Sequence, residues 1–188
     1  MRDRHRTVVK VGGALLARPG ALESALRAIE SAVARGEQVV VVPGGGPFAD
    51  AVRAVDASIG LDRDAAHWMA VLAMSEYAYL IASRTARARL VETPDEIAHA
   101  LHERTIPVLT PYRWLVEEDP LPHTWDVTSD SIAAWVAGRL GAPRLVLVKP
   151  VAGEMATLVD RYFDRALPPG VRAIIADDAG LTEALRAG

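Results

Sequence analysis

Lys10 and Lys149 are the only lysines in a chain of 188 residues that carries nineteen arginines. Where nearly every cation is arginine, a lysine asks for a reason. An ammonium is a compact, steerable point charge suited to one phosphoryl oxygen, whereas a guanidinium grips with two prongs. Both lysines close apolar runs, Val8-Val9-Lys10 and Leu147-Val148-Lys149. Gly12-Gly13 follow Lys10, and a second run from Val39 to Val42 passes through Pro43 into Gly44-Gly45-Gly46. Glycines directly after buried strands let backbone approach a phosphate, and the next helix N-terminus offers N–H donors and a positive dipole. The third part is Asp126-Val127-Thr128-Ser129-Asp130. Asp130 falls in the first turn of a predicted helix, where a carboxylate gains less than ~1 kcal/mol at a surface. As an organiser of the lysines it would matter more. An ammonium ~4 Å from a phosphoryl oxygen gains about 4 kcal/mol at an effective dielectric near 20, and about 1 kcal/mol in water. The plainer alternative is two solvated lysines and an aspartate that serves only its own helix. Two glycine turns on neighbouring strands, one beside a lysine, favour phosphate chemistry.

Those residues need a framework of alternating strands and helices. Residues 8–11 are predicted as a strand, and 19–35 as a helix in which Leu22, Leu26, Ile29 and Val33 recur at steps of three and four. Residues 38–42 form a continuous β-branched run, the pattern of a strand covered on both faces, and 48–57 read as a second helix. This β-α-β-α order predicts a parallel sheet with helices on its faces. Residues 64–82 read as a long helix that is apolar nearly all round, buried by the sheet and by a second surface. A homo-oligomer contact through this helix is the expectation, with its methionines, aromatics and His67 serving packing. Thr93-Pro94-Asp95-Glu96 resembles a capping box opening a helix to about residue 104. Residues 106–109 are a strand, 110–128 a long loop, and 129–140 a helix capped by Thr128 or Ser129. Strands at 145–148 and 171–176 and a helix at 181–187 complete a single domain over 1–188.

Composition narrows the classes. The chain is 51% hydrophobic and 24% charged, ordinary for a globular protein. A net charge of −3 and a pI near 6.0 argue against a nucleic-acid partner. The absence of cysteine excludes thiolate catalysis, disulfides and cysteine metal sites. No apolar leader precedes the first strand, and no run reaches the roughly 18 apolar residues of a membrane span. A cytoplasmic address without membrane contact is expected. The chain lacks G-x-x-x-x-G-K-[ST] and G-x-G-x-x-G, so neither a Walker-A enzyme nor a dinucleotide-binding dehydrogenase is expected.

The Lys10-Val11-Gly12-Gly13 strand end, the Pro43-Gly44-Gly45-Gly46-Pro47-Phe48-Ala49 loop and DVTSDSIAA at 126–134 together resemble the amino acid kinase superfamily in order and spacing. That superfamily includes acetylglutamate, aspartate, uridylate and isopentenyl phosphate kinases. The resemblance runs to about Gly153. In its short length and in residues 60–82 the chain most resembles the (aminomethyl)furanylmethyl phosphate kinase branch of methanofuran biosynthesis. The resemblance implies an α/β fold, a three-layer α/β/α sandwich around a mainly parallel sheet. It also implies ATP with Mg2+ and transfer of the γ-phosphoryl group to a carboxylate or phosphate, here most simply the furan phosphate. Carried over, Lys10 would stabilise the transferring group and Asp130 would organise Lys10 and Lys149. Gly12, Gly13, Gly44 and Gly45 would offer N–H groups, with Gly46 completing the acceptor loop. Lys10, Gly12, Gly13 and Lys149 would face the nucleotide, and no side chain is assigned to a metal. Asp126 falls where acetylglutamate kinases carry a substrate-binding asparagine, and an acid there would suit an amine. Arg53 and Arg63 are candidates to grip an acceptor phosphate.

The chain also departs from the pattern. Only 39 residues follow Lys149, none of them lysine, so the nucleotide half is expected to be abbreviated or built differently, with Lys149 the sole candidate for the second lysine. Val151-Ala152-Gly153 stands where the family often has Val-Asp-Gly. The alternatives are a kinase for another acceptor, of UMP, acetylglutamate or aspartate type, and a non-catalytic phosphate- or nucleotide-binding or storage protein.

Overall fold

Valine alternation builds the centre of the molecule. On one face of the sheet Val8, Val40, Val42, Leu145 and Leu147 point into one core; Val9, Val11, Val39, Val41, Val146 and Val148 point into another. A strand buried on both faces has little reason to be polar anywhere, which accounts for the continuous apolar runs. In the computed structural model, which describes residues 6–151 and 154–186, six strands form one all-parallel sheet in the order β3-β4-β2-β1-β5-β6. These are β1 (Arg6–Val11), β2 (Gln38–Pro43), β3 (Ala88–Val91), β4 (Ile106–Leu109), β5 (Arg144–Val148) and β6 (Arg172–Ala176). The helices are α1 (Ala21–Ala34), α2 (Gly46–Ile59), α3 (Arg63–Ser83), α4 (Pro94–His102), α5 (Tyr112–Glu118), α6 (Ser129–Arg139), α7 (Met155–Leu158), α8 (Phe163–Ala166) and α9 (Leu181–Arg186).

The layers follow from the two cores. Helices α4, α5, α6 and α8 pack with the first face, α1 and α9 with the second, and α3 contributes Val71 and Met74 to one and Tyr77 and Ile81 to the other. This is the three-layer α/β/α sandwich that the sequence predicts. Helix α2 lies on α3 through Ala49, Val52 and Ala73. The all-round apolarity of α3 thus reflects two cores and a neighbouring helix, while Leu72 and Tyr79 stay exposed.

Four elements lie outside expectation: the short helices α7 and α8, between the last two strands, and the two that follow. The 110–128 segment contains α5, which buries Trp114 and Leu115 and ends at Asp119 in a left-handed conformation. Its flanking prolines make the stretch look like loop. β3 joins the sheet edge beside β4 with a half-exposed pattern, since Arg89 alternates with apolar Leu90. Ala152 and Gly153, Ala187 and the chain start lie outside the described residues.

The carboxyl ends of β1 and β2 are locked by their glycines. A Cβ on Gly13 would come within 2.1 Å of Gly46 Cα, and one on Gly44 within 2.8 Å of the Gly13 nitrogen. Gly46 itself has φ +57, a conformation that side chains resist. The two loops therefore pack backbone against backbone. Gly13→Ala is expected to cost about 1–3 kcal/mol of stability, the usual scale of overpacking, in chemical denaturation; a loss below 0.5 kcal/mol, by contrast with that ~1–3 kcal/mol range, would mean the loops separate easily.

Candidate active site

Parallel register sets the site. Lys10 lies between Val42 on β2 and Leu147 on β5, one residue short of the strand end. Lys149 leaves β5 immediately after Val148, and its backbone N–H donates to the Ala176 carbonyl at 2.9 Å. Asp130, in the first turn of α6, reaches both. Its Oδ1 is 3.0 Å from Lys10 Nζ, and its Oδ2 accepts a hydrogen bond from Lys149 Nζ at 2.6 Å. All three are sequestered: Lys10 is 4% exposed and Asp130 3%. Burial alone would raise the Asp130 pKa, but the two ammonium groups outweigh it and hold the carboxyl below its ordinary value. Lys149 is pushed below the ordinary lysine value by burial and by Lys10, against the pull of Asp130. Two cations and one anion leave a surplus positive charge in a water-poor place. A phosphoryl group is the chemical complement of that surplus.

Beside this group opens a cavity of about 610 Å³, lined by Gly13, Gly45, Gly46, Arg53, His67, Trp125, Thr128 and Ser129 among others. Lys10, Asp130 and Lys149 flank it rather than line it; Gly13 and Ser129 bring their chain neighbours to its edge. The first turn of α2 faces the same space. Pro47 has no N–H, so Gly45, Gly46 and Phe48 carry the donors without intrahelical partners, because the first bond in the ladder is Ala49 N–H to the Gly45 carbonyl. The N–H of Gly12 is already donated to the Val148 carbonyl at 3.1 Å, and that of Gly44 to the Val11 carbonyl at 2.8 Å. These two glycines therefore close the strand ends rather than offer donors. Gly12 is also needed against β5, since a Cβ there would stand 2.6 Å from the Val148 oxygen, while Lys10 Nζ at 3.7 Å would be in ordinary contact.

A six-strand parallel sheet with glycine loops meeting over a buried Lys-Asp-Lys group now stands beside three comparisons. Residues 5–155 match the model of the amino acid kinase family. The chain belongs to that family. The [5-(aminomethyl)furan-3-yl]methyl phosphate kinase of Methanocaldococcus jannaschii is 28% identical over 158 residues, 84% of this chain and 68% of that protein. The crystal structure of uridylate kinase from Archaeoglobus fulgidus superposes with a TM-score of 0.73 at 16% identity, covering 96% of this chain and 95% of the other. UMP kinase from Bacillus anthracis gives 0.67 at 14% identity, over 97% and 91% of the two chains.

Within this amino acid kinase, the remaining expected residues divide. Arg53 lines the cavity; it pairs with Asp50 at 3.0 Å and lies over the Trp125 ring at 4.8 Å. Arg63 lines a separate pocket of about 100 Å³ that shares His67 and Trp125 with the main cavity. Asp126 does not line either pocket. Its carboxylate is exposed and lies 3.5 Å from Arg161, so it is badly placed to read an acceptor amine. The residue before it in the chain, Trp125, is also solvent-exposed but lines both pockets and donates its indole N–H to Asp56 at 2.7 Å.

Two further features depend on partners distant in the chain. Tyr77, buried on α3, donates its hydroxyl hydrogen to the Gly12 carbonyl at 3.3 Å and so pins the β1 loop. His67 is not merely packing: it lines the cavity and stacks on His123 at 4.0 Å between ring centres. His123 is clasped by Asp64 at 2.6 Å and Asp119 at 2.9 Å. Burial, then the charge on His123, lowers the His67 pKa to about 4. Burial also works against charging His123, but the hydrogen bonds that Asp64 and Asp119 accept from its ring prevail and its pKa is raised.

These shifts give stability a definite pH dependence. As pH falls from 6.5 towards 4, the unfolded chain protonates residue 67 while the folded chain resists, so stability declines across that window. His123 acts oppositely: its contribution is complete below 6.5 and is lost as pH rises through its raised folded value. Melting curves of His67→Gln should lack part of the wild-type decline between pH 6.5 and 4, and those of His123→Gln part of the decline above 6.5. Wild-type and His67→Gln profiles that run parallel throughout the acid window would contradict the assignment.

Proposed function

We propose that this kinase transfers the γ-phosphoryl group of ATP·Mg2+ to a small phosphorylated acceptor, [5-(aminomethyl)furan-3-yl]methyl phosphate, in the biosynthesis of a methanofuran-type cofactor. The observation that carries the reading is the surplus positive charge of the Lys10-Asp130-Lys149 group, set at the meeting point of two glycine loops. Phosphoryl transfer needs little covalent help from protein; positioning and charge stabilisation suffice. Lys10 and Lys149 meet the negative charge on the transferring group, and Asp130 keeps both ammonium groups aimed. Gly13 and the first-turn N–H groups of Gly45, Gly46 and Phe48 hold phosphate oxygens. Magnesium enters this reading with the nucleotide, as part of the ATP·Mg2+ substrate held by the phosphates.

The acceptor is argued from the named relative and from the cavity. Trp125 presents a flat aromatic wall suited to a five-membered ring, and Arg53 beside it suits the acceptor phosphate. A neutral His67 adds a hydrogen-bonding group without another positive charge. Association of two copies through α3 belongs to the same reading, since Leu72 and Tyr79 are exposed seven residues apart on one helix.

The test is ADP release with the aminomethylfuran phosphate, UMP, acetylglutamate and aspartate as acceptors. Turnover is expected on the first; binding of ATP without turnover on any would favour a storage or sensing protein. Lys10→Ala should keep the fold and lower kcat by roughly 10²–10³-fold, the usual scale for losing one preorganised charge donor. A drop of less than about threefold would remove Lys10 from the mechanism, measured against that same scale. Asp126→Asn should change KM for the amine-bearing acceptor by less than about twofold, as befits an exposed residue outside the cavity.

A further inference from the structure

We infer that Asp160 is a positioning residue for phosphoryl transfer, holding the start of α6, and with it Asp130, from a distant part of the chain. The helix lacks a side-chain cap of its own: the Thr128 hydroxyl accepts nothing from the first turn. Asp160 takes that place. Its Oδ2 accepts from the Thr128 N–H at 2.9 Å, the Thr128 hydroxyl at 2.8 Å and the Ser131 N–H at 3.0 Å. Its Oδ1 accepts from the Tyr162 N–H at 3.2 Å and from the Ser131 hydroxyl. One carboxylate thus fastens residues on both sides of Asp130. The Tyr162 N–H also donates to the Asp126 carbonyl at 3.2 Å, tying the same segment to the loop that enters the helix.

The arrangement matters for chemistry because of what the helix start carries. Thr128 and Ser129 line the acceptor cavity, and Asp130 aims both lysines. A helix start free to shift by an ångström would misplace all of these together. Charge adds a second consequence. The groups facing Lys149 are Lys10 from β1, Asp130 from α6 and Asp160 from the segment between α7 and α8. Burial and Lys10 favour loss of the Lys149 proton, and both acids oppose it. Asp160 forms no ion pair with either lysine, so it tempers the surplus positive charge of the Lys10-Asp130-Lys149 group from a distance.

The inference rests on the kinase reading, and the test separates the two. Asp160→Asn keeps an oxygen to accept hydrogen bonds but removes the charge; Asp160→Ala removes both. Thr93→Ala, which removes the cap that accepts from Glu96 N–H on α4, is the control for simple loss of a helix cap. Three quantities are read for each: melting temperature, the pH profile of kcat with ATP·Mg2+ and the aminomethylfuran phosphate, and hydrogen exchange at the Thr128 and Ser131 amides. Asp160→Ala should lose roughly 10- to 100-fold in kcat, the scale of a misplaced group, with faster exchange at both amides. Asp160→Asn should keep most of the melting temperature yet shift the alkaline limb of kcat to lower pH. Thr93→Ala should lower the melting temperature and leave kcat alone. If both Asp160 variants behave like Thr93→Ala, with the alkaline limb unmoved, Asp160 is only a cap and the inference is overturned. If Asp160→Ala does not fold, Asp160→Asn decides through its pH limb. If the wild type turns over no acceptor, the kinase reading fails, and unchanged amide exchange in Asp160→Asn and Asp160→Ala would sink the positioning claim separately.

Discussion

One buried carboxylate facing one buried and one partly buried ammonium group is the constraint around which the molecule is arranged. Breaking a buried charge pair by removing one partner costs about 3–5 kcal/mol in general, because the remaining charge has nowhere to go. Asp130 has two such partners, and without it Lys10 and Lys149 would repel one another in the same water-poor space. The fold spends three separate elements on this contact. β1 and β5 are adjacent and in register, which brings the two lysines to one end of the sheet. Helix α6 then delivers Asp130 from above its own N-terminus, where its dipole also favours a negative charge.

The glycines answer a different need. Their loops interlock so tightly that a single Cβ on Gly13 would collide with the Gly46 backbone. Gly12 and Gly44 spend their N–H groups on the sheet, fixing the loop ends, and Tyr77 adds a hydrogen bond to the Gly12 carbonyl. The donors that stay available belong to the first turn of α2. Rigid loop ends and an open helix start are a division of labour that suits a phosphate site, because preorganised donors pay no reorganisation cost when charge develops.

Much of this arrangement is legible in the sequence. Lysine scarcity singled out Lys10 and Lys149, and spacing put Asp130 in a first helical turn; the three meet. The parallel sheet followed from apolar runs alternating with helical periodicity. What escaped was set by partners far away in sequence. Asp126 and Trp125 are neighbours, and the loop backbone, which residue type does not reveal, decides that Trp125 lines the cavity and Asp126 does not. Asp160 lies in a stretch with no motif, thirty residues from the turn it caps. Helix α5 was hidden by prolines on either side, and β3 by Arg89, a charge that an edge strand tolerates on its exposed side. His67 looked like packing because its role depends on His123, brought to it only by the path of the chain after α5.

The scarcity of lysine also offers the most direct test of the central claim. With lysine side-chain nitrogens labelled in ¹⁵N, the protein has only two ammonium groups to observe, Lys10 and Lys149. Burial and pairing with Asp130 should slow their proton exchange enough for both to be seen, and ATP·Mg2+ should move both signals. Asp130→Asn should disturb both and lower the pH at which Lys149 loses its proton. Two lysine signals indifferent to Asp130→Asn, or a nucleotide that leaves both unmoved, would contradict the account.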